Sequence, residues 1–437
     1  MTSETAVEPG TSALRQQPLR LLFYGINFWP ELTGVGKYTG EMCRWLADHG
    51  HAVEVVTAPP YYPAWKVSPG YQRLGYQHEI WGDGGQVHIT RCPIWVPQTL
   101  STLRRLLHLA SFALFSVPAL WRQLRRRPDM VLVIAPTLFV VPAAMALARW
   151  FKVPTWIHVQ DFEVDAMFSL GLGGAQGWIQ RSALAVESGL LSAFDRASSI
   201  TPRMVDRLQS KGVLKDHCVL LPNWVDLAAV FPLTGGNAFR RQLGLRDDEI
   251  VVLYAGNMGE KQGLELVIDA ARALQGHAYL RFVLAGDGSA RQRLQQSAVD
   301  IPQLAWLPLQ PADRLNELLN AADVHILPQR ADAADLVMPS KLTGMLASGR
   351  PVLGTAARDT QLGQVLDAVG RRVDPGDSAA ITAALVDMAN DRAALRELGH
   401  AGRLYAQRHL ALRPIMETLL IELARFAKIG KSRSNPL

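Results

Sequence analysis

The chain has 437 residues, 49% hydrophobic and 19% charged, a length that favours two or more compact domains over one. Its formal charge of +6 gathers at Arg104, Arg105, Arg122, Arg125, Arg126 and Arg127, with a second cluster at Lys428, Lys431 and Arg433. Basic residues beside an apolar run suit an anionic lipid surface, and no nucleic-acid-binding signature accompanies them. Cys43, Cys92 and Cys218 stand far apart without Cys-x-x-Cys spacing, which argues against a disulfide framework and for a reducing compartment.

Residues 1–18 are polar, lack the apolar stretch of a signal peptide, and read as a disordered lead-in to a cytoplasmic chain. LRLLFYGI, from Leu19, is the first buried strand. A glycine-rich loop follows, then a helix around Tyr38 to His49 closed by Gly50, and a second strand, HAVEVVTA, from His51. From Leu106 to Trp121 the chain is nearly all apolar, with arginines at both ends and Pro118 inside. That stretch is short for a membrane span, and reads either as a core-packed helix or as an interfacial helix whose arginines meet anionic head groups.

MVLVIAP (from Met130) and PTWIHVQ (from Pro154) are further strands, with Val140 to Trp150 as a crossover helix between them. ASSITP, from Ala197, ends the first sheet, and CVLLPNWVD, from Cys218, reads as a connector. A second set begins with IVVLYAG (Ile250) and continues through LRFVLAG (Leu280), LAWLPL (Leu304), VHILP (Val324) and RPVLGT (Arg350); after Asp377 the pattern is helical. This alternation predicts an α/β protein of two Rossmann-like domains facing across a cleft. The expected boundaries are 19–215 for the first domain, 216–405 for the second, and 406–437 for a C-terminal helix and basic tail.

Several residues on these loops can carry chemistry. In PELTGVGKYTGEM, Gly34 and Gly36 let the backbone approach a ligand, and the helix behind them aims free N–H groups at it. Glu31 and Tyr38 rule out a Walker A loop; Gly34-x-Gly36-xxx-Gly40 with Glu54 is either a phosphate cradle or a tight turn. In the second domain GNMGEKQG (Gly256 to Gly263) sets Lys261 within reach of a diphosphate, and Ser340 and Lys341 open the helix of MPSKLTGMLASGRPV. A cation suits a helix N-terminus poorly unless an anion is shared there; otherwise Lys341 points into solvent. His158 and Asp161 end the strand WIHVQD, either contacting substrate hydroxyls or, for the histidine, serving a structural role. Glu163 and Asp165 follow, but with no Asp-x-Asp and no His/Cys ligand spacing the expectation is no metal and no cofactor, lysines and helix ends neutralising a leaving diphosphate.

The strings YGINFWPELTGVGKYTGEM, VTAPPYYPAW, HVQDFEVDAMFSLG, GNMGEKQGLE and MPSKLTGMLASG resemble glycosyltransferase family 4, of the two-domain GT-B fold, over about Leu19 to Phe426. Within that family they look most like the colanic acid (exopolysaccharide) enzymes. The resemblance implies a retaining, metal-independent hexosyltransferase whose first domain takes the acceptor and whose second binds a nucleotide sugar, pointing weakly to GDP-fucose. It implies that Gly34 and Gly36 lie against the donor diphosphate and that Lys261 contacts it from the other domain. It places His158 and Asp161 by the transferred sugar and the acceptor hydroxyl, and Gly286, Asp287 and Gly288 beside the nucleotide, unless these last form a plain strand-to-helix turn.

Two departures from the family stand out. Its Glu-x7-Glu pair falls on Leu336 and Gly344, and its usual arginine is Asn257, so Asn257, Asp335, Ser340 and Lys341 are expected to share donor recognition. The implied acceptor is a polyprenyl-diphosphate-linked sugar at the inner membrane face, whose lipid would account for the basic, apolar stretch at 106–127. The rival readings are a sugar-nucleotide epimerase on the same architecture and a non-catalytic nucleotide-binding subunit of a polysaccharide assembly complex. A dehydrogenase is a poor third.

Overall fold

A computed structural model describes residues 17–31, 34–82, 86–99, 101–136, 138–162, 177–330 and 338–433. Its first sheet has eight strands: β1 (Arg20–Tyr24), β2 (Ala52–Thr57), β3 (Gln77–Trp81), β4 (Val87–Arg91), β5 (Met130–Ala135), β6 (Thr155–Val159), β7 (Arg196–Ser199) and β8 (Cys218–Leu220). Their order is β3-β4-β2-β1-β5-β6-β7-β8, with only the edge pair β3–β4 antiparallel. β1, β5 and β6 are apolar runs because helices cover both faces of a parallel sheet. The second sheet holds β9 (Ile250–Ala255), β10 (Leu280–Ala285), β11 (Leu304–Leu307), β12 (Val324–Leu327), β13 (Val352–Thr355) and β14 (Arg371–Val373), in the order β11-β10-β9-β12-β13-β14.

In both sheets the strand order reverses beside the first strand, between β1 and β5 and between β9 and β12. Loops leaving the C-terminal ends of strands at such a reversal form the crevice where doubly wound folds bind ligands. The loop after β1 carries Gly34 and Gly36 into helix α1 (Gly34–Asp48), and the loop after β9 carries Gly256 and Asn257.

One boundary differs from the strand pairing, and the C-terminal helix takes a partner that the sequence left open. The connector from Cys218 begins as a strand, since Ala197 pairs with Cys218 and Ser199 with Leu220, so the first sheet runs past residue 215. The final helix, expected as a segment apart from both domains, packs on the first. At the crossing Val225 N–H donates to the Leu410 carbonyl and Leu412 N–H to that of Val225. The helix at Leu412–Arg433 then lays Met416, Leu419, Leu423 and Phe426 into the core formed by Leu21, Phe23, Ile134 and Trp156 of the first domain.

The apolar stretch forms α2 (Thr102–Leu124), capped by Ser101, whose side chain accepts the Arg104 N–H. One face is buried through Leu109, Phe112, Ser116, Leu120 and Leu124. The other leaves Leu103, Leu107, Leu114, Phe115 and Trp121 exposed, beside Trp150 on α3 (Val141–Phe151), which is 80% exposed. Core packing and an open apolar face thus occur on opposite sides of one helix. By length and composition Thr102–Arg125 could cross a membrane, and 33% of its apolar stretch is buried inside the protein.

Candidate active site

The first glycine loop owes its composition to its own packing as well as to any ligand. Gly34 has φ +60, a left-handed conformation, and a Cβ there would meet nothing within 4 Å, so the space above it is open. A Cβ on Gly36 would stand 2.7 Å from Glu31 Oε2, and one on Gly40 2.9 Å from the Trp29 Cβ. The tight-turn explanation therefore covers Gly36 and Gly40, while Gly34 and the first turn of α1 offer room and backbone N–H groups to an anion.

The second-domain loop is packed tighter still. A Cβ on Gly286 would fall 1.8 Å from the Gly256 carbonyl oxygen, and one on Gly288 2.6 Å from Asn257 Oδ1. Gly286 thus packs on Gly256 and Gly288 on Asn257 and Met258, and at both positions only hydrogen fits. Asp287 is exposed; its carboxylate accepts its own turn's Gly288 N–H at 2.8 Å, and its carbonyl accepts Met258 N–H.

Lys341, opening helix α4 (Lys341–Ala347), does not point into solvent. It lies along Gly256, and Nζ donates to Tyr254 Oη at 2.5 Å, 4.2 Å from the centre of that ring. Tyr254 in turn donates to the Asn257 carbonyl. Among the described residues no carboxylate lies within ion-pair distance of this ammonium, and burial lowers its pKa to about 7. A cation held at a strand-order reversal with no anionic partner among those residues is what a bound phosphate would complete.

His158 lies inside β6, 1% exposed, with both ring nitrogens engaged. With Gln160 donating to Nε2 at 3.2 Å, Nδ1–H donates to Ser198 Oγ at 2.9 Å, and that oxygen also accepts Trp156 Nε1–H. Burial lowers the imidazole to about 4, so the ring is neutral at pH 7. This is the bracing role: the ring holds the Gln160 side chain and is itself enclosed. Burial raises the pKa of the Tyr62 hydroxyl, and the charges of Glu31 and Asp161 act in the same direction.

The two domains touch beside these groups. Tyr38 Oη donates to the Ser340 carbonyl at 3.1 Å and lies 3.2 Å from Thr343 Oγ1, and Asn257 Nδ2 donates to Tyr62 Oη at 2.9 Å. Ser340 and Asn257 are therefore brought to the interface. Lys261 has its backbone in the turn Glu260–Gln262, and its side chain lies outside the described residues, as do Asp335, Glu163 and Asp165. Sequence reasoning missed Tyr38, Tyr62 and Tyr254. Tyr62 stood in the string VTAPPYYPAW, where neither spacing nor charge marked it.

Residues 33–224 match the glycosyl transferase 4-like domain and residues 249–391 the glycosyl transferases group 1 domain. A protein of Escherichia coli (strain K12) named for colanic acid biosynthesis, the glycosyl transferase WcaI, is 42% identical over 355 residues, 80% of this chain and 86% of that one. The chain belongs to the glycosyltransferases.

A further relative, the D-inositol 3-phosphate glycosyltransferase of Acidothermus cellulolyticus, is 30% identical over 44% of this glycosyltransferase and 48% of its own length. Among solved structures, sucrose-phosphate synthase from Thermosynechococcus elongatus superposes with a TM-score of 0.73 at 17% identity, covering 93% of this chain and 99% of that one. Anabaena HepE in complex with UDP and glucose gives 0.68 at 13%, covering 93% and 100%. Both likenesses concern the fold, and they agree with the expected pair of Rossmann-like domains in the GT-B arrangement.

Proposed function

We propose that this glycosyltransferase moves a sugar, with retention of configuration, from a nucleoside diphosphate donor onto a polyprenyl-diphosphate-linked saccharide during exopolysaccharide assembly. The observation that carries the reading is Lys341, a cation without a carboxylate partner among the described residues, set against Gly256 at the strand-order reversal. The diphosphate would lie between Lys341 and the open space above Gly34. In the step itself the bond from the anomeric carbon to the diphosphate breaks, its electron pair staying on the phosphate oxygen. The acceptor oxygen bonds to the anomeric carbon on the same face, and its proton passes to that phosphate oxygen. Lys341, with Lys261 as the second cation, stabilises the charge that develops on the leaving group. No metal is assigned to the step, and Asn257, Ser340, Asp287 and Asp335 are the proposed donor contacts. His158 acts through Gln160 and Asp161, which would face the sugar and the acceptor hydroxyl.

The name of the E. coli relative supports an exopolysaccharide acceptor, and GDP-fucose is the first donor to try. The exposed face of α2 supports the lipid. Leu103, Leu107, Leu114, Phe115, Trp121 and Trp150 would sit at the inner face of the cytoplasmic membrane, with Arg104, Arg122 and Arg125 among anionic head groups. The test is transfer: purified protein, a panel of GDP and UDP sugars, and a polyprenyl-diphosphate saccharide, with the product's mass and anomeric configuration determined. A glycosylated lipid of retained configuration supports the reading. Epimerised nucleotide sugar without acceptor, or nucleotide binding with no transfer to any acceptor, overturns it.

A further inference from the structure

We infer that Glu31 and Tyr62 are positioning residues for transfer, holding the glycine loops of the two domains in register across the cleft. The inference rests on the transferase reading and adds to it residues that no motif singled out. Glu31 is 5% exposed and lies directly beneath Gly36. Its Oε1 accepts the backbone N–H of Tyr61 at 3.2 Å and of Tyr62 at 3.1 Å, and its Oε2 accepts Asn27 Nδ2 at 3.0 Å. One carboxyl group thus ties the segment leading into Gly34 and Gly36 to the segment carrying Tyr62.

From Tyr62 the connection crosses to the other domain. Its hydroxyl accepts the Asn257 side-chain amide at 2.9 Å. The Asn257 backbone carbonyl accepts from Tyr254, whose hydroxyl accepts from Lys341. Asn257 has little freedom to adjust, because its Oδ1 lies against Gly288 where a Cβ would stand at 2.6 Å. A single run of hydrogen bonds therefore leads from beneath the first-domain loop to the lysine of the second. Among the described residues the Tyr62 hydroxyl proton has no acceptor, and the charged groups that act on that hydroxyl are Glu31, Arg105 and Asp161. It is free to turn toward an oxygen in the cleft.

The chemistry at Glu31 suits this place. A carboxylate under a phosphate loop would repel the ligand, and burial pushes Glu31 up to about 7, against the opposing pull of the Tyr61 and Tyr62 amides, Asn27 and the Arg91 guanidinium. A neutral carboxyl keeps its acceptor oxygens for the two amides while shedding the charge. Geometry and electrostatics both favour it beneath an anion.

The discriminating experiment is a double-mutant cycle on steady-state transfer, using Tyr62→Phe, Asn257→Ala and both together, with nucleoside diphosphate binding measured separately by calorimetry. A small misplacement of reacting groups costs up to about a hundredfold in rate. The expected result is a fall of about tenfold to a hundredfold in kcat/KM for Tyr62→Phe, a double variant no worse than the poorer single one, and for Tyr62→Phe a binding constant for GDP or UDP within about threefold of wild type. Glu31→Ala should lose turnover similarly and Glu31→Gln, which keeps the oxygen that accepts the Tyr61 and Tyr62 amides, restore most of it. If Glu31→Ala does not fold, the Tyr62–Asn257 cycle decides alone. Wild-type transfer with Tyr62→Phe unchanged, or strictly additive losses in the cycle, overturns this inference only. Absence of transfer by the wild-type protein overturns the transferase reading beneath it.

Discussion

Replacing Lys341 by methionine should remove the lysine's share of the proton uptake that accompanies diphosphate binding. In the empty site burial lowers the ammonium to about 7. At pH 8 the lysine is then about one-tenth charged, and at pH 7 about half. A diphosphate beside it favours the charged form and lifts the pKa well above the working range. Binding therefore takes up about 0.9 proton at pH 8 and about 0.5 at pH 7, and affinity falls by up to about tenfold per pH unit above 7. The sign is fixed by the direction of the shift, since a lysine depressed in the free protein must gain a proton to meet an anion. Glu31, also raised to about 7, contributes in the same sense where the ligand's charge reaches it. The ligand's own phosphate ionisation is common to both proteins, so the difference between wild type and Lys341→Met isolates the lysine. Calorimetric titration of GDP and of UDP in two buffers of equal pH and different ionisation enthalpy reads the uptake directly. Equal uptake by wild type and variant would refute the placement of Lys341 against the ligand.

Three further outcomes follow from packing and charge. Ending the chain before Leu412 removes Met416, Leu419, Leu423 and Phe426 from the first-domain core. At about 1.5–3 kcal/mol for each buried side chain, the loss rivals the whole stability of an ordinary domain, so circular dichroism and gel filtration should find the truncated protein unfolded or aggregated. An unchanged melting temperature would contradict that packing. Gly286→Ala puts a Cβ 1.8 Å from the backbone oxygen of Gly256, an atom that cannot swing aside, and should cost about 3 kcal/mol or more together with nucleotide binding, measured by denaturant melts and calorimetry. On α2, replacing Arg104, Arg122 and Arg125 by glutamine should weaken sedimentation with anionic phospholipid vesicles by about a hundredfold, at about 1 kcal/mol per charge, while binding of neutral vesicles changes little. Equal loss on both lipids would mean that the helix had unfolded.

How much was legible in the sequence depended on how local the signal was. β1, β5, β6, β9 and β10 are dense apolar runs and could be read directly, as could the glycine loops that follow the first strand of each sheet. The short strand at Cys218–Leu220 could not, because it is three residues long, exists by pairing with β7, and its own residues are at most partly buried. The last helix was recognisable as a helix, but its return to the first domain rests on Met416 and Leu419 finding β1, a contact that no periodicity encodes. Lys341 was visible as a cation at a helix start. Its neighbour Tyr254 was hidden inside an apolar strand, and Tyr62 in a loop with no charge pattern. His158 shows the converse limit: a histidine at a strand end reads equally as chemistry or as support, and only Ser198 and Gln160 decide what its nitrogens do.

A crystal structure of the protein with GDP or UDP bound tests the central claim most directly. The account predicts the diphosphate between the two domains, with a phosphate oxygen within hydrogen-bond distance of Lys341 Nζ and the open side of Gly34 turned toward it. A nucleotide whose diphosphate lies away from Lys341 and from both glycine loops would contradict it.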